Sequence, residues 1–308
     1  MNNIVKISIK LFFFLLPLFM LIGYFEYQLR HKPFASSYSV KKNFVEKQLD
    51  SVETLVLGSS QTFNGVNPSQ FKRKGFNLAN VSQTIFYDKR LTLNYLPKLP
   101  KLKTVIINIS YFSFFYQMFD IKENWRDYYY INHFGIRYKN LDYSTLNNYS
   151  FFALYQPIHS LKLAMNKFED KDAIDIMSNG YQPKYHQELI NDSIGKSRVD
   201  IHNQESFPKR EKEIKEDLDD FVKQLRNRNI NVIFITTPVF KTYSKYCNAK
   251  VLTNNSKFIN ELCKKYNCKY LNFFTDNRFI KDDFFDNDHL KNNGANKLSK
   301  MISDTLNL

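Results

Sequence analysis

Between Glu53 and Ile109 the chain alternates short apolar runs with segments of helical character, and this alternation restricts the fold more than any other feature. Glu53-Thr-Leu-Val-Leu57 reads as a short buried strand ended by the turn-forming Gly58, Gly75-Phe-Asn-Leu-Ala-Asn-Val81 as a second and Thr104-Val-Ile-Ile-Asn-Ile109 as a third. The residues after Pro68 and those from Tyr87 to Tyr95 read as the helices between them. Strand, helix, strand, helix, strand at this spacing implies a parallel sheet with right-handed crossovers. The order resumes at Pro208, where Ile214, Leu218, Phe221 and Leu225 form one apolar stripe on a helix running to Asn227. A fourth strand, Ile230-Asn-Val-Ile-Phe-Ile-Thr236, a helix from Phe258 to Tyr266, a fifth strand, Lys269-Tyr-Leu-Asn-Phe-Phe274, and a helix from Gly294 to Ile302 follow. The expected class is α/β: a three-layer α/β/α sandwich around a central parallel sheet.

From Tyr111 to about Ser206 the pattern dissolves into aromatic-rich and Asn-rich sequence. A structureless loop of that length does not suit a compact domain. Residues 113–205 are therefore expected to form a large inserted cap, partly helical, its aromatics mostly packed in a core. Leu11 to Phe25 carries no charge, with Lys6 and Lys10 before it and Glu26, Arg30, His31 and Lys32 after. At about 1.5 Å per residue this stretch spans roughly 22 Å, so flanking residues must help it cross a hydrocarbon core of ~30 Å. A cleaved signal peptide is the competitor, but Ala35-Ser36-Ser37 is the sole nearby cluster of small residues, and an uncleaved signal anchor is favoured. The expected organisation is an anchor over 1–32, a juxtamembrane linker over 33–50 and a catalytic domain over 51–308, outside the cytoplasm.

The net charge of +14 is spread along the chain and mixed with acids, with no zinc-finger spacing or Arg-rich arm, so a nucleic-acid partner is not expected. The histidines do not cluster at ligand spacing, and no metal or cofactor is expected. Cys247, Cys263 and Cys268 allow one disulfide or none, in a pairing the sequence leaves open.

Two remote segments carry chemistry. Leu55-Val-Leu-Gly58-Ser59-Ser60-Gln61 presents serines at the end of a buried strand, and Phe285-Asp286-Asn287-Asp288-His289-Leu290 places an acid three residues before a histidine. Both fall at carboxyl ends of strands, where reactive groups gather in open parallel sheets. They supply the parts of an acyl-transfer triad: Ser60 attacks an acyl carbonyl, His289 takes and returns the proton, and Asp286 orients the imidazole. Asp288 is the alternative acid and Asp283 a more distant one. Asn64, Tyr111 and Ser113 are candidate pocket residues, while His133, His159, His186 and His202 have no defined partner in the sequence.

These blocks resemble the SGNH, or GDSL-like, hydrolase and acyltransferase superfamily over Ser51–Phe112 and Pro208–Leu308. The family's first block, Gly-Asp-Ser, carries its nucleophile last, so the resemblance implies Ser60 rather than Ser59. Its last block, Asp-x-x-His, is similar to Asp286-Asn287-Asp288-His289, with Leu290 and Gly294-Ala295 following in the same manner. Gln83 stands where the family's second block has a glycine whose backbone N–H serves the oxyanion; Gln83, Ser59 and Asn64 are the oxyanion and substrate-binding candidates. The third block, Gly-x-Asn-Asp, is replaced by Ser110-Tyr111-Phe112-Ser113. Loss of one oxyanion donor costs about 2.7–4 kcal/mol in the transition state, which implies slow, specialised or partner-assisted chemistry. The anchor, Gly-Ser-Ser and Asp-x-Asp-His-Leu together look like the branch of the D-alanyl transfer protein of teichoic acid and the alginate O-acetylation proteins. That resemblance implies an extracytoplasmic enzyme acting on an acylated envelope glycan or acyl donor, beside a membrane-bound O-acyltransferase, with acetyl the expected group. Hydrolysis and transfer stay open, and the alternative is a non-catalytic binding or assembly subunit of an envelope complex.

Overall fold

The computed structural model describes residues 3–32, 35–138, 144–155, 157–165, 173 and 175–308. In chain order the elements are helices α1 (Asn3–His31) and α2 (Ser37–Glu46), strand β1 (Thr54–Leu57), helix α3 (Ser60–Phe63), strand β2 (Gly75–Asn77), helix α4 (Ile85–Tyr95) and strand β3 (Thr104–Asn108). Helices α5 (Asp127–Phe134), α6 (Phe151–Leu154), α7 (Pro157–Ala164), α8 (Asp192–Gln204) and α9 (Pro208–Arg226) come next. Strand β4 (Asn231–Thr236), helices α10 (Lys241–Ser244) and α11 (Ala249–Tyr266), strand β5 (Lys269–Asn272) and helix α12 (Asn292–Leu306) complete the chain. Two compact units result: Met1–Val40 with Tyr128–Ile174, and Lys41–Asp127 with Asp175–Leu308.

The second unit is the α/β sandwich. Its five strands are all parallel in the order β2-β1-β3-β4-β5. With β2 on one side of β1 and β3 on the other, the chain reverses its winding between β1 and β3, and ligands bind beyond the carboxyl ends of strands at such a switch point. Val56, Ile106, Ile233 and Ile235 pack with Ala295, Leu298 and Ile302 of α12. The stripe Ile214, Leu218, Phe221, Val222 and Leu225 of α9 is wholly buried, as its spacing predicts. Of the expected insertion, residues 113–127 and 175–205 lie in this unit, and Phe112, Phe115, Tyr116, Val199 and Tyr243 share one core there.

The helix expected after Pro68 is instead a single 3-10 turn over Pro68–Gln70. Asn67 Oδ1 caps it by accepting the Ser69 N–H at 3.0 Å, and Phe71 is already extended towards β2. β2 stops at Asn77 rather than Val81 because the Asn77 side chain donates to the carbonyls of Thr62 and Val66, after which the chain turns through Ser82 at φ +54°. α11 starts nine residues earlier than the sequence suggests, at Ala249 rather than Phe258, where Asn248 Oδ1 accepts the Lys250 N–H at 2.9 Å.

In the first unit the most apolar stretch of α1 is entirely unburied, and the helix is long and apolar enough to cross a membrane. Its carboxyl-terminal turns pack against α6 and α7. Glu26 accepts the N–H groups of Phe151 and Phe152 at 2.9 and 3.0 Å, satisfying two orphan donors at the start of α6. Leu29, Ala35, Phe151, Tyr155 and Leu163 form the local core. His133 is buried in this unit, its Nε2 3.2 Å from Tyr155 Oη.

Candidate active site

The site is built at the carboxyl end of β1. Gly58 takes φ +134°, and a Cβ there would lie 2.6 Å from Thr62 Oγ1 and 2.9 Å from Asn108 Cβ, so a side chain is excluded on both conformation and space. The turn delivers Ser59 as an extended N-cap whose carbonyl accepts the N–H groups of Thr62 and Phe63. Ser60 becomes the first residue of α3, where the backbone N–H has no intrahelical partner. Below the turn the carboxylate of Asp88, 1% exposed, accepts the Gly58 N–H at 3.1 Å and Gln83 Nε2 at 2.6 Å. Burial pushes the Asp88 carboxyl up to about 7 despite those two bonds.

The loop after β5 brings the other half. Phe284 and Leu290 pair across it, and Asp286 Oδ1 accepts the N–H groups of Asp288 and His289 at 2.9 and 2.7 Å, which closes the turn. The loop is pinned to the segment after β4 by the Phe240 N–H on the Asn287 carbonyl and by Thr242 Oγ1 on Asn287 Oδ1.

Ser60 Oγ lies 2.8 Å from His289 Nε2, and His289 Nδ1 lies 2.9 Å from Asp286 Oδ2 and 3.0 Å from Asp286 Oδ1. With Nδ1–H donating to Asp286, Nε2 is left as the acceptor for the Ser60 hydroxyl. Burial would lower the pKa of His289, but Asp286 and Asp288 outweigh it and raise it above 6.5. Ser60 keeps partial solvent access while His289 is buried.

Asp288 is 1% exposed, with Oδ1 3.6 Å from His289 Nδ1. It is tied instead to Arg198 Nε of α8 at 3.1 Å and to Gln61 Nε2 of α3 at 3.3 Å. Asp283 bonds the Ile280 N–H and Lys297 Nζ and takes no part in the histidine's hydrogen bonding. Asp286, Asp288 and His289 are the described residues whose donor atoms cluster within 4.8 Å, and hydrogen bonds to Ser60, Gln61 and Arg198 account for that cluster.

The oxyanion candidates are placed differently. Asn64 Nδ2 donates to the carbonyl and Oε1 of Gln182, both at 3.0 Å, and is turned into the fold. Gln83 gives its backbone N–H to the Asn80 carbonyl and its side chain to Asp88 and Leu78. Ser59 Oγ is buried with no hydrogen-bond partner among the described residues. Tyr111 bonds Asn203, and Ser113 Oγ accepts the Ser110 N–H. His202 is buried against Tyr243 Oη at 2.7 Å and His186 is exposed, while the side chain of His159 lies outside the described residues. The three cysteines are free thiols. Gln61, Ser110 and Arg198 carry no local mark of a role in the sequence: Asn108 Nδ2 donates to Ser110 Oγ at 2.9 Å and Ser110 Oγ to Gln61 Oε1 at 2.7 Å, so a buried polar chain runs from the end of β3 to Asp288.

The family profile described as DltD protein matches residues 116–307, more than half of the chain. The match includes most of the region expected to be an insertion, Arg198 and the Asp286–His289 loop, and it begins after Ser60. No curated protein matches the chain. Among solved structures, the crystal structure of a proposed acylhydrolase from Bacteroides fragilis aligns over 85% of this chain and 91% of its own, at 11% identity and a TM-score of 0.40. The chain belongs to the DltD family, that of the D-alanyl transfer protein of teichoic acid.

Proposed function

We propose that this chain is a membrane-anchored serine acyltransferase or esterase, its α/β unit outside the cytoplasm, which moves a small acyl group on a cell-envelope glycan through an ester on Ser60. Family membership supports an acyl-transfer or acyl-hydrolase role on cell-envelope components. The observation that carries the finer reading is the Ser60–His289–Asp286 hydrogen-bond chain, closed between segments 229 residues apart.

In the proposed reaction Ser60 Oγ attacks the acyl carbonyl while its proton passes to His289 Nε2. Asp286 holds the imidazolium. The tetrahedral oxyanion is met by the Ser60 backbone N–H at the start of α3, with Ser59 Oγ as the unengaged side-chain donor nearest in sequence. Collapse breaks the bond to the leaving alkoxide, which takes the proton from His289. An acceptor hydroxyl then gives its proton to His289 and attacks the acyl-enzyme, and as the acyl–Oγ bond breaks His289 returns the proton to Ser60; a sugar hydroxyl makes the reaction transfer, water makes it hydrolysis. An envelope acyl-transfer machinery, with a membrane-bound O-acyltransferase as donor, fits this scheme.

One observation favours the alternative of a non-catalytic assembly subunit: Asn64 and Gln83 are both committed to bonds inside the fold. Hydrolysis of p-nitrophenyl acetate by the purified full chain separates the two. Ser60→Ala and His289→Ala are each expected to lower the rate by about 10³-fold or more with unchanged thermal unfolding. Equal rates in wild type and both variants would remove the enzyme reading.

A further inference from the structure

Asp288 has no place in a three-residue relay, yet it is among the most buried acids near the site and stands 3.6 Å from the ring nitrogen that Asp286 holds. A buried carboxylate is costly unless its charge is paired and its lone pairs are satisfied. Here Arg198 Nε occupies one oxygen and Gln61 Nε2 the other, and Gln61 is the residue after Ser60. Arg198 reaches in from α8, which is seated closely: a Cβ on Gly195 would fall 2.1 Å from the Thr242 carbonyl, and His202 meets Tyr243 Oη one turn beyond Arg198. The loop, the nucleophile helix and α8 thus converge on one carboxylate.

We propose that Asp288 and Arg198 are positioning residues that set the basicity of His289, Asp288 as a second carboxylate and Arg198 as its opposing charge; this rests on the reading of His289 as the general base. Three other titratable groups near the pair, His202, Cys247 and Tyr243, stay uncharged near neutral pH. Burial holds His202 down at about 4, pushes the Cys247 thiol up to about 12, and raises Tyr243. That leaves Asp286, Asp288 and Arg198 as the charges that His289 feels most directly, with Glu123 and Glu205 acting on Arg198 from beyond it. The anion of Asp288 favours the imidazolium and the cation of Arg198 opposes it, so their removal must move the histidine in opposite directions.

The test is a pH titration of the His289 ring nitrogens by NMR in the full chain in detergent, with the signals assigned by their loss in His289→Ala. Asp288→Asn is expected to move the midpoint down by about one pH unit or more. Arg198→Gln is expected to move it up by a smaller amount, and Arg198→Lys, which keeps the charge, to restore it. The pH profile of p-nitrophenyl acetate hydrolysis follows the same order. Unchanged midpoints, or both moving the same way, overturn the proposal. Should Asp288→Asn fail to fold, Arg198→Gln decides alone, any result but an upward shift counting against it. The NMR midpoint is read without turnover, so failure of this inference and failure of the acyl-enzyme reading give different data.

Discussion

Ser60 is placed by what its neighbour lacks. Gly58 sits at φ +134° with Thr62 Oγ1 and Asn108 Cβ where a methyl group would go, so Gly58→Ala must displace the turn that aims Ser60 at His289. Expected costs are about 1–3 kcal/mol in stability and roughly 10²-fold in acylation, read by thermal unfolding and by ester hydrolysis. Wild-type values in that variant would show that the turn does not position the serine. Ser60, Asp286 and His289 were legible because each is marked locally: a serine after an apolar run and a Gly, an acid three residues before a His. Gln61 and Arg198 had no such mark. Their pairing with Asp288 exists only once β1, α8 and the β5 loop converge, and no spacing in the sequence announces it. Asn64 and Gln83 are polar residues near the right turns, but Gln182 and Asp88 draw them inward, a competition between partners that a linear reading does not show.

Among the elements, the central strands β1, β3 and β4 were the most legible, because buried parallel strands are near-continuous apolar runs. Helix ends were less so. α11 begins well before its apolar stripe becomes regular, and the turn at Pro68 is cut short by the need to enter β2. At the junction of β1 with α4 a buried carboxyl couples folding to pH. Asp88, at the amino end of α4, has its carboxyl pushed up to about 7 by burial, against 3.8 unperturbed. Between those values the folded chain holds a proton that the unfolded chain has released, so stability falls as pH rises through about 4 to 7 and levels off above it. The contribution is up to about 1.4 kcal/mol per pH unit in that window. Asp88→Asn keeps an acceptor for the Gly58 N–H and should reduce this slope in urea unfolding measured across the window, the remainder belonging to Asp127, whose carboxyl burial also pushes up to about 7. An identical slope in the variant would place the titration elsewhere.

At the scale of the molecule, the apolar helix α1 belongs to one compact unit and the parallel sheet to the other. α1 exceeds the length of a hydrocarbon core, and its apolar stretch is unburied. The full chain should stay with the membrane pellet through an alkaline carbonate wash, and a chain lacking residues 3–24 should be released; a released full chain would contradict single-pass anchoring. The proposed reaction requires an ester at Ser60, and peptide mass spectrometry of the full chain in detergent, after brief exposure to an activated acetyl ester near neutral pH, detects it. The predicted result is an acetyl adduct mapped to Ser60 and absent from His289→Ala; folded wild-type protein carrying no adduct at Ser60, or carrying it equally in His289→Ala, would contradict the account.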